Sequence, residues 1–110
     1  MRLNIKPEEL TEVFVALSHP DRRAIIERLS SGREATVSDL ADGFEVSFNQ
    51  VSKHLKTLER AGLLVKRKVG REYHCRLDMR PLFQAKSWIE AYEKFWKESI
   101  EGLSNYLDNI

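Results

Sequence analysis

Between Ser47 and Leu64 the chain reads SFNQVSKHLKTLERAGLL, and Phe48, Val51, Leu55 and Leu58 recur there at spacings of 3, 4 and 3 residues. That spacing sets them on one narrow stripe of a helix. Asn49, Gln50, Lys53, Lys56 and Thr57 lie opposite. Ser47 has the short side-chain oxygen wanted at an N-cap, and Gly62 can stop a helix at its C′ position. One face is therefore expected to dock on a core while the other presents amides and ammonium groups outward.

Shorter periodic runs precede this stretch. Residues 1–7 read as a loose lead-in ending at Pro7. Glu8 to Leu17 follows as a helix, with Leu10, Val13, Phe14 and Leu17 on one side and Glu8, Glu9 and Glu12 where the macrodipole favours negative charge. Pro20 cannot continue that helix and pushes His19 out of the α region, but it can begin the next one, about Pro20 to Leu29, with Ala24, Ile25 and Leu29 inward. A third, short helix is expected after Thr36 as N-cap, with Val37, Leu40 and Ala41 apolar, stopping near Gly43. Two helices joined by a short turn containing Gly have the helix-turn-helix pattern, in which the second helix is the reader.

Past Gly62 the period changes from helical to alternating. Leu63–Val69 and Glu72–Leu77 form two β-rich runs joined by Gly70-Arg71, a hairpin whose arms and tip carry Lys66, Arg67, Lys68 and Arg71. Beside a reading helix such a hairpin is a wing that reaches phosphates or the minor groove; alternatively, it is a strand edge whose lysines prevent aggregation. From Pro81 to about Leu107 the pattern is helical again. Ala85, Trp88, Ile89, Tyr92, Phe95, Trp96, Ile100, Leu103, Tyr106, Leu107 and Ile110 make an apolar band wider than one small domain needs. A homodimer is expected from the first and last helices, through Phe14, Leu17, Trp88, Tyr92, Phe95, Trp96 and Leu103; the alternative is that the last helix caps its own core.

Composition sharpens this picture in two places. A chain of 110 residues suits a single domain (1–110), with helix-turn-helix about 36–62, wing about 63–77 and dimerisation helices about 8–18 and 81–107. Net charge is only +1, but residues 47–77 carry eight Lys/Arg against two acids, a local +6, while both flanks are acidic. Basic charge gathered in the middle third is the electrostatic footprint of a nucleic-acid partner. Cys75 is the only cysteine, which precludes an intrachain disulfide, and no apolar run reaches membrane-spanning length. A cytoplasmic protein with no membrane partner is expected.

Amides can read adenine edges, and lysines can reach guanine or phosphate. Ser47, Asn49, Gln50, Ser52, Lys53, His54 and Lys56 are thus candidate contacts to double-stranded DNA, with Lys68 and Arg71 of the wing; a charged helix face also serves simply as solvated surface. His54, at the flank of the helix, either meets DNA or packs against a neighbouring helix. His74 and Cys75, adjacent on a strand, point to opposite faces and cannot act as base and nucleophile. The sequence contains no Gly-rich phosphate loop, paired-carboxylate site or Ser/His/Asp arrangement, so no enzyme is expected.

The segments FVALSHPDRR (14–23), VSKHLKTLERAGL (51–63) and GREY (70–73) together resemble the ArsR/SmtB family of bacterial winged-helix repressors. The resemblance spans roughly Glu12 to Leu107. It implies a mainly α fold with a β-hairpin, a winged helix-turn-helix with a long C-terminal dimerisation helix. It further implies a dimeric repressor that binds an operator over its own or a neighbouring gene and is released by a signal, here unknown. Metal-sensing members carry a Cys-Val-Cys-Asp-Leu box where this chain has Thr36-Val37-Ser38-Asp39-Leu40, and hydroxyls are poor ligands for soft metals. No histidine follows Pro81 to build the family's second metal site. The non-metal branch is implied, with no cofactor. Two other readings stand beside it: a winged-helix interaction module that has lost DNA binding, and an effector sensor using Trp88, Tyr92 and Trp96.

Overall fold

The computed structural model describes residues 5–43 and 46–109. The expectations for residues 1–4 of the lead-in, for 44–45 of the turn and for Ile110 of the apolar band lie outside the described residues. Five helices and three strands follow in order: α1 (Pro7–Leu17), α2 (Pro20–Leu29), β1 (Ala35–Thr36), α3 (Val37–Ala41), α4 (Phe48–Arg60), β2 (Leu64–Val69), β3 (Glu72–Leu77) and α5 (Arg80–Asp108). This is the mainly α winged-helix architecture expected, with helix limits within a residue or two of those read from the periodicity.

Local chemistry sets these limits. Ser47 Oγ accepts from the Gln50 amide at 3.2 Å and starts α4. Thr36 and Asp39 exchange side-chain and backbone bonds in a capping box that starts α3. At the other end of α4, the Leu63 amide reaches the Leu58 carbonyl and the Gly62 amide reaches that of Glu59, both at 3.0 Å. These paired bonds form a Schellman turn, and Gly62 takes the φ of +77° that the motif requires. The chain leaves this turn directly into β2. Gly70 has φ +63° while Arg71 keeps φ negative, the combination a type II′ hairpin turn needs.

The sheet departs from expectation by one strand. Its order is β1-β3-β2, antiparallel throughout, with Ala35 opposite Cys75 and Leu64 opposite Leu77. β1 has only two residues, and its pairing partner lies some forty positions away, so no local periodicity announces it.

The core forms where α4 meets the rest of the chain. Val51, Leu55 and Leu58 are fully buried with Ala16 of α1, Ile25 and Leu29 of α2, Leu40 of α3 and Cys75 of β3, and Leu63 and Leu64 close the end toward the wing. Two expected positions differ. In α1 the buried residues are Val13 and Ala16, while Phe14 is partly exposed and meets Trp88 of α5 edge to face, centroids 5.7 Å apart. Phe48, expected on the buried stripe of α4, is 54% exposed, because it stands in the first turn at the border of that stripe. His54 is 9% exposed and takes an inward place instead.

The N-terminus of α5 is fixed by Asp78, whose carboxylate accepts from the Arg80 amide at 3.0 Å and from the Arg80 guanidinium at 2.7 Å. Those bonds hold the Asp78 carboxyl down to about 2. Beyond Ala91 every described residue of α5 is exposed. Among the described residues no helix is long and apolar enough to cross a membrane.

Leu55 has no solvent exposure and lies in the contact between α4 and the other helices. Leu55→Ala should destabilise the fold by about 2–5 kcal/mol, read as a lower denaturation midpoint at unchanged slope.

Candidate nucleic-acid interface

The outward face of α4 is built by its own pitch. With Val51, Leu55 and Leu58 inward, Asn49, Gln50, Lys53 and Lys56 are all exposed on the other side, while Ser52 at the flank is half-buried. The Ser47 hydroxyl oxygen is already engaged as the N-cap, which leaves its O–H as a donor. The hairpin that follows the Schellman turn carries Lys68 on β2 and Arg71 in its turn. Lys56 and Arg71 line one groove of about 440 Å³ between α3, α4 and the wing.

Not all the basic residues are available. Arg67 donates to Glu34 Oε2 at 2.8 Å, which holds the Glu34 carboxyl below its usual range, and Lys66 lies 3.9 Å from Glu59. Among the described residues Lys53, Lys56, Lys68 and Arg71 make no ion pair, so their charge is uncompensated; Lys68 rests over the Tyr73 ring at 5.8 Å. The four cations singled out from the sequence are thus among those without an acidic partner; Arg60 and Arg76 of the same stretch are likewise unpaired and exposed among the described residues.

His54 is the correction among these candidates. It faces α2, where Arg22 Nη1 donates to its Nδ1 at 3.2 Å, and its ring lies 4.5 Å from that of His19. A guanidinium has only donors, so Nδ1 must accept and the proton sits on Nε2, buried and 3.7 Å from Asp21 Oδ2. Burial first, then the neighbouring His19 and Arg22, lowers the His54 pKa and keeps the ring neutral. It is removed from the DNA-facing set because its side of α4 is the packed one.

Sequence reasoning also missed the company His54 keeps. His19 Nδ1 accepts from the Asp21 amide at 3.0 Å and caps α2. His19, Asp21 and His54 bring ligand-type atoms within 4.8 Å of one another. With Nδ1 of His54 turned to Arg22, its Nε2 offers a proton rather than a lone pair, and an ion there would lie beside a guanidinium. The grouping suits a hydrogen-bonded strut better than a cation site. Cys75 is fully buried, which pushes its thiol pKa up and leaves it a packing residue.

At the far side, Phe14, Trp88 and Tyr92 form one aromatic cluster, with Trp88 and Tyr92 centroids 4.7 Å apart. Leu17 is half-buried, and Phe95, Trp96 and Leu103 extend the exposed face along α5. No enclosed, catalytically equipped cleft accompanies these surfaces among the described residues.

A short helix, a capped second helix with a polar outer face and a basic hairpin define a winged helix-turn-helix DNA-binding domain. A helix-turn-helix domain model matches residues 17–67. The chain is 30% identical to the transcriptional repressor SdpR of Bacillus subtilis over 80 residues, 73% of this chain and 88% of that one. It is 35% identical to the arsenical resistance operon repressor of Escherichia coli over 82 residues, 74% of this chain and 70% of the relative. An ArsR-like transcriptional regulator from Rhodococcus sp. RHA1 superposes with a TM-score of 0.83 at 29% identity, covering 94% of each chain. The chain belongs to the ArsR family of winged helix-turn-helix transcriptional repressors, which are DNA-binding regulators and not enzymes. The interaction-module alternative is not favoured by these relatives.

The neutral His54 has a measurable signature. Below about pH 6.5, the ordinary histidine value, the unfolded chain takes up a proton that the folded chain refuses. The unfolded state then binds more protons, so stability falls as pH drops through that range. Urea midpoints between pH 7 and 5 should show this fall in the wild type and a shallower one in His54→Gln.

Proposed function

We propose that two copies of this chain bind a near-palindromic operator together, each laying α4 in a major groove and its wing on the flanking backbone. Asn49 and Gln50 read base edges, Ser47 and Ser52 donate from the helix margin, Lys53 and Lys56 hold phosphates, and Lys68 and Arg71 hold backbone or minor groove. The observation that carries this reading is the exposed polar face of α4, with Lys53 and Lys56 unpaired on it and Arg71 of the wing lining the same groove as Lys56. Half-sites about 10 bp apart, one helical turn, would suit two such helices. An operator over its own gene or a neighbouring one is the natural target.

The dimer in this scheme rests on α5. Phe95, Trp96, Ile100, Leu103, Tyr106 and Leu107 are each about 60% exposed. They fall within an arc of about 140° that runs on from Trp88 and Tyr92. An apolar band of this extent, continuous with the α1–α5 contact at Phe14, is the kind of surface that a second copy covers. We assign no metal or other cofactor to the domain, and the ring-on-ring contact of Phe14, Trp88 and Tyr92 is read as interface rather than as an effector pocket.

In a gel shift on the promoter fragment upstream of its own gene, affinity should fall steeply with added salt. Lys53→Ala should weaken binding on all sequences and reduce the slope of log affinity against log salt by about 2 for a dimer, about one per lost phosphate contact. An affinity insensitive to salt would overturn the electrostatic reading.

Trp96→Glu combined with Leu103→Glu should shift sedimentation equilibrium from dimer to monomer and weaken operator binding at least tenfold, with α4 and the wing untouched. Retention of the dimer in that variant would remove α5 from the interface.

A further inference from the structure

We infer that Phe48 is a base-reading residue, and that what it reads is the 5-methyl group of a thymine. The inference rests on the proposed DNA reading and extends it to a residue that hydrophobic patterning assigns to the core. Phe48 is the first residue of α4, directly after the Ser47 cap, and its ring is 54% exposed. In a helix-turn-helix the N-terminal residues of the second helix are the ones that reach base edges. Phe48, Ser52 and Lys56 follow one another at intervals of four along the side of α4 that lines the groove toward the wing, with Arg71 and Tyr73 opposite. The groove also holds the Glu72 carboxylate and Lys66, which is paired with Glu59; with Lys56 and Arg71 its balance stays positive, which favours a duplex as the occupant over an apolar partner.

The chemistry of the ring narrows what it can recognise. A phenyl group neither donates nor accepts, so it is blind to the hydrogen-bonding code of the major groove. The apolar feature displayed there is the thymine methyl, and contact with it is an established use of phenylalanine. Left facing water the ring gains nothing; set against a methyl it removes apolar surface of both partners from solvent. The transfer value for one buried carbon corresponds to about fourfold in affinity for each methyl, or about 15-fold when both half-sites contribute.

The test begins by selecting bound duplexes from a random-sequence library with the full wild-type chain. Each thymine of the selected site is then replaced in turn by uracil, which removes the methyl and leaves the base-pairing edge intact. Wild type should lose about fourfold at one thymine per half-site. Phe48→Ala should bind the thymine duplex more weakly and lose no further affinity on that replacement. Lys53→Ala, weaker overall, should keep the full methyl effect. Wild-type affinity indifferent to every methyl would overturn the inference while leaving DNA binding intact, as would a Phe48→Ala protein that still discriminates. Failure to enrich any duplex would overturn the DNA reading itself, and this inference with it. The wild-type measurement stands even if Phe48→Ala folds poorly, and Phe48→Leu, which keeps an apolar contact, should retain part of the discrimination.

Discussion

The Arg22 side chain is the joint on which the geometry of this domain depends. Its Nε donates to the Ala16 carbonyl at 2.9 Å, its Nη2 to the Val15 carbonyl at 2.8 Å and to Ser18 Oγ at 3.2 Å, and its Nη1 to His54 Nδ1 at 3.2 Å. The last carbonyls of a helix lack intrahelical partners, and here a planar cation from the next helix supplies them. The same cation then reaches across to α4. Three helices are thereby pinned by one fork of donors in fixed directions, which a lysine with a single nitrogen could not reproduce. The end of α1, which leads to the α5 contact, and the middle of α4, which faces away from its polar side, cannot shift independently while that joint holds. The neutral state of His54 follows from its place there: burial disfavours a charge on the ring, and a positive one would also face His19 and the guanidinium.

Much of this was legible in the sequence because it is local. Ser47, Thr36 with Asp39, Gly62 and Gly70 each act within a few residues, and each marks a boundary where it was expected. The stripe of α4 and the basic middle third were legible for the same reason, since one arises from helical pitch and the other from simple counting. What was not legible depends on partners far along the chain. His54 is polar and lies where periodicity alone cannot say whether it faces in or out; its inward place is decided by Arg22, 32 positions away. β1 exists only because β3 offers it an edge at Cys75 and His74. Phe48 fits the stripe by spacing and leaves it by position, since the first turn of a helix can outrun the elements that cover the rest.

The exposed apolar residues divide into two kinds. Along α5 they form a long continuous band with aromatic members in contact, as Phe95 and Trp96 are at 6.0 Å, and such a band calls for a surface of like extent. At the start of α4 Phe48 stands in a groove shared with Tyr73, Val37, hydroxyls, cations and Glu72, a smaller and more polar setting than the band. The two lie in different parts of the fold, with the core and the Arg22 joint between them. In the proposed complex the two surfaces would therefore serve different partners, a second copy along α5 and a polyanion at α4.

The order β1-β3-β2 leaves the outer backbone edge of β2 without a neighbouring strand, and along β2 run Lys66, Arg67 and Lys68. Lys66 lies against Glu59 and Arg67 is paired with Glu34, so Lys68 is the cation of β2 with no acidic partner among the described residues, and its charge disfavours pairing of another strand there. The wing thus carries its own safeguard against sticking to another wing, and a variant that loses Lys68 would also lose part of its protection from clumping.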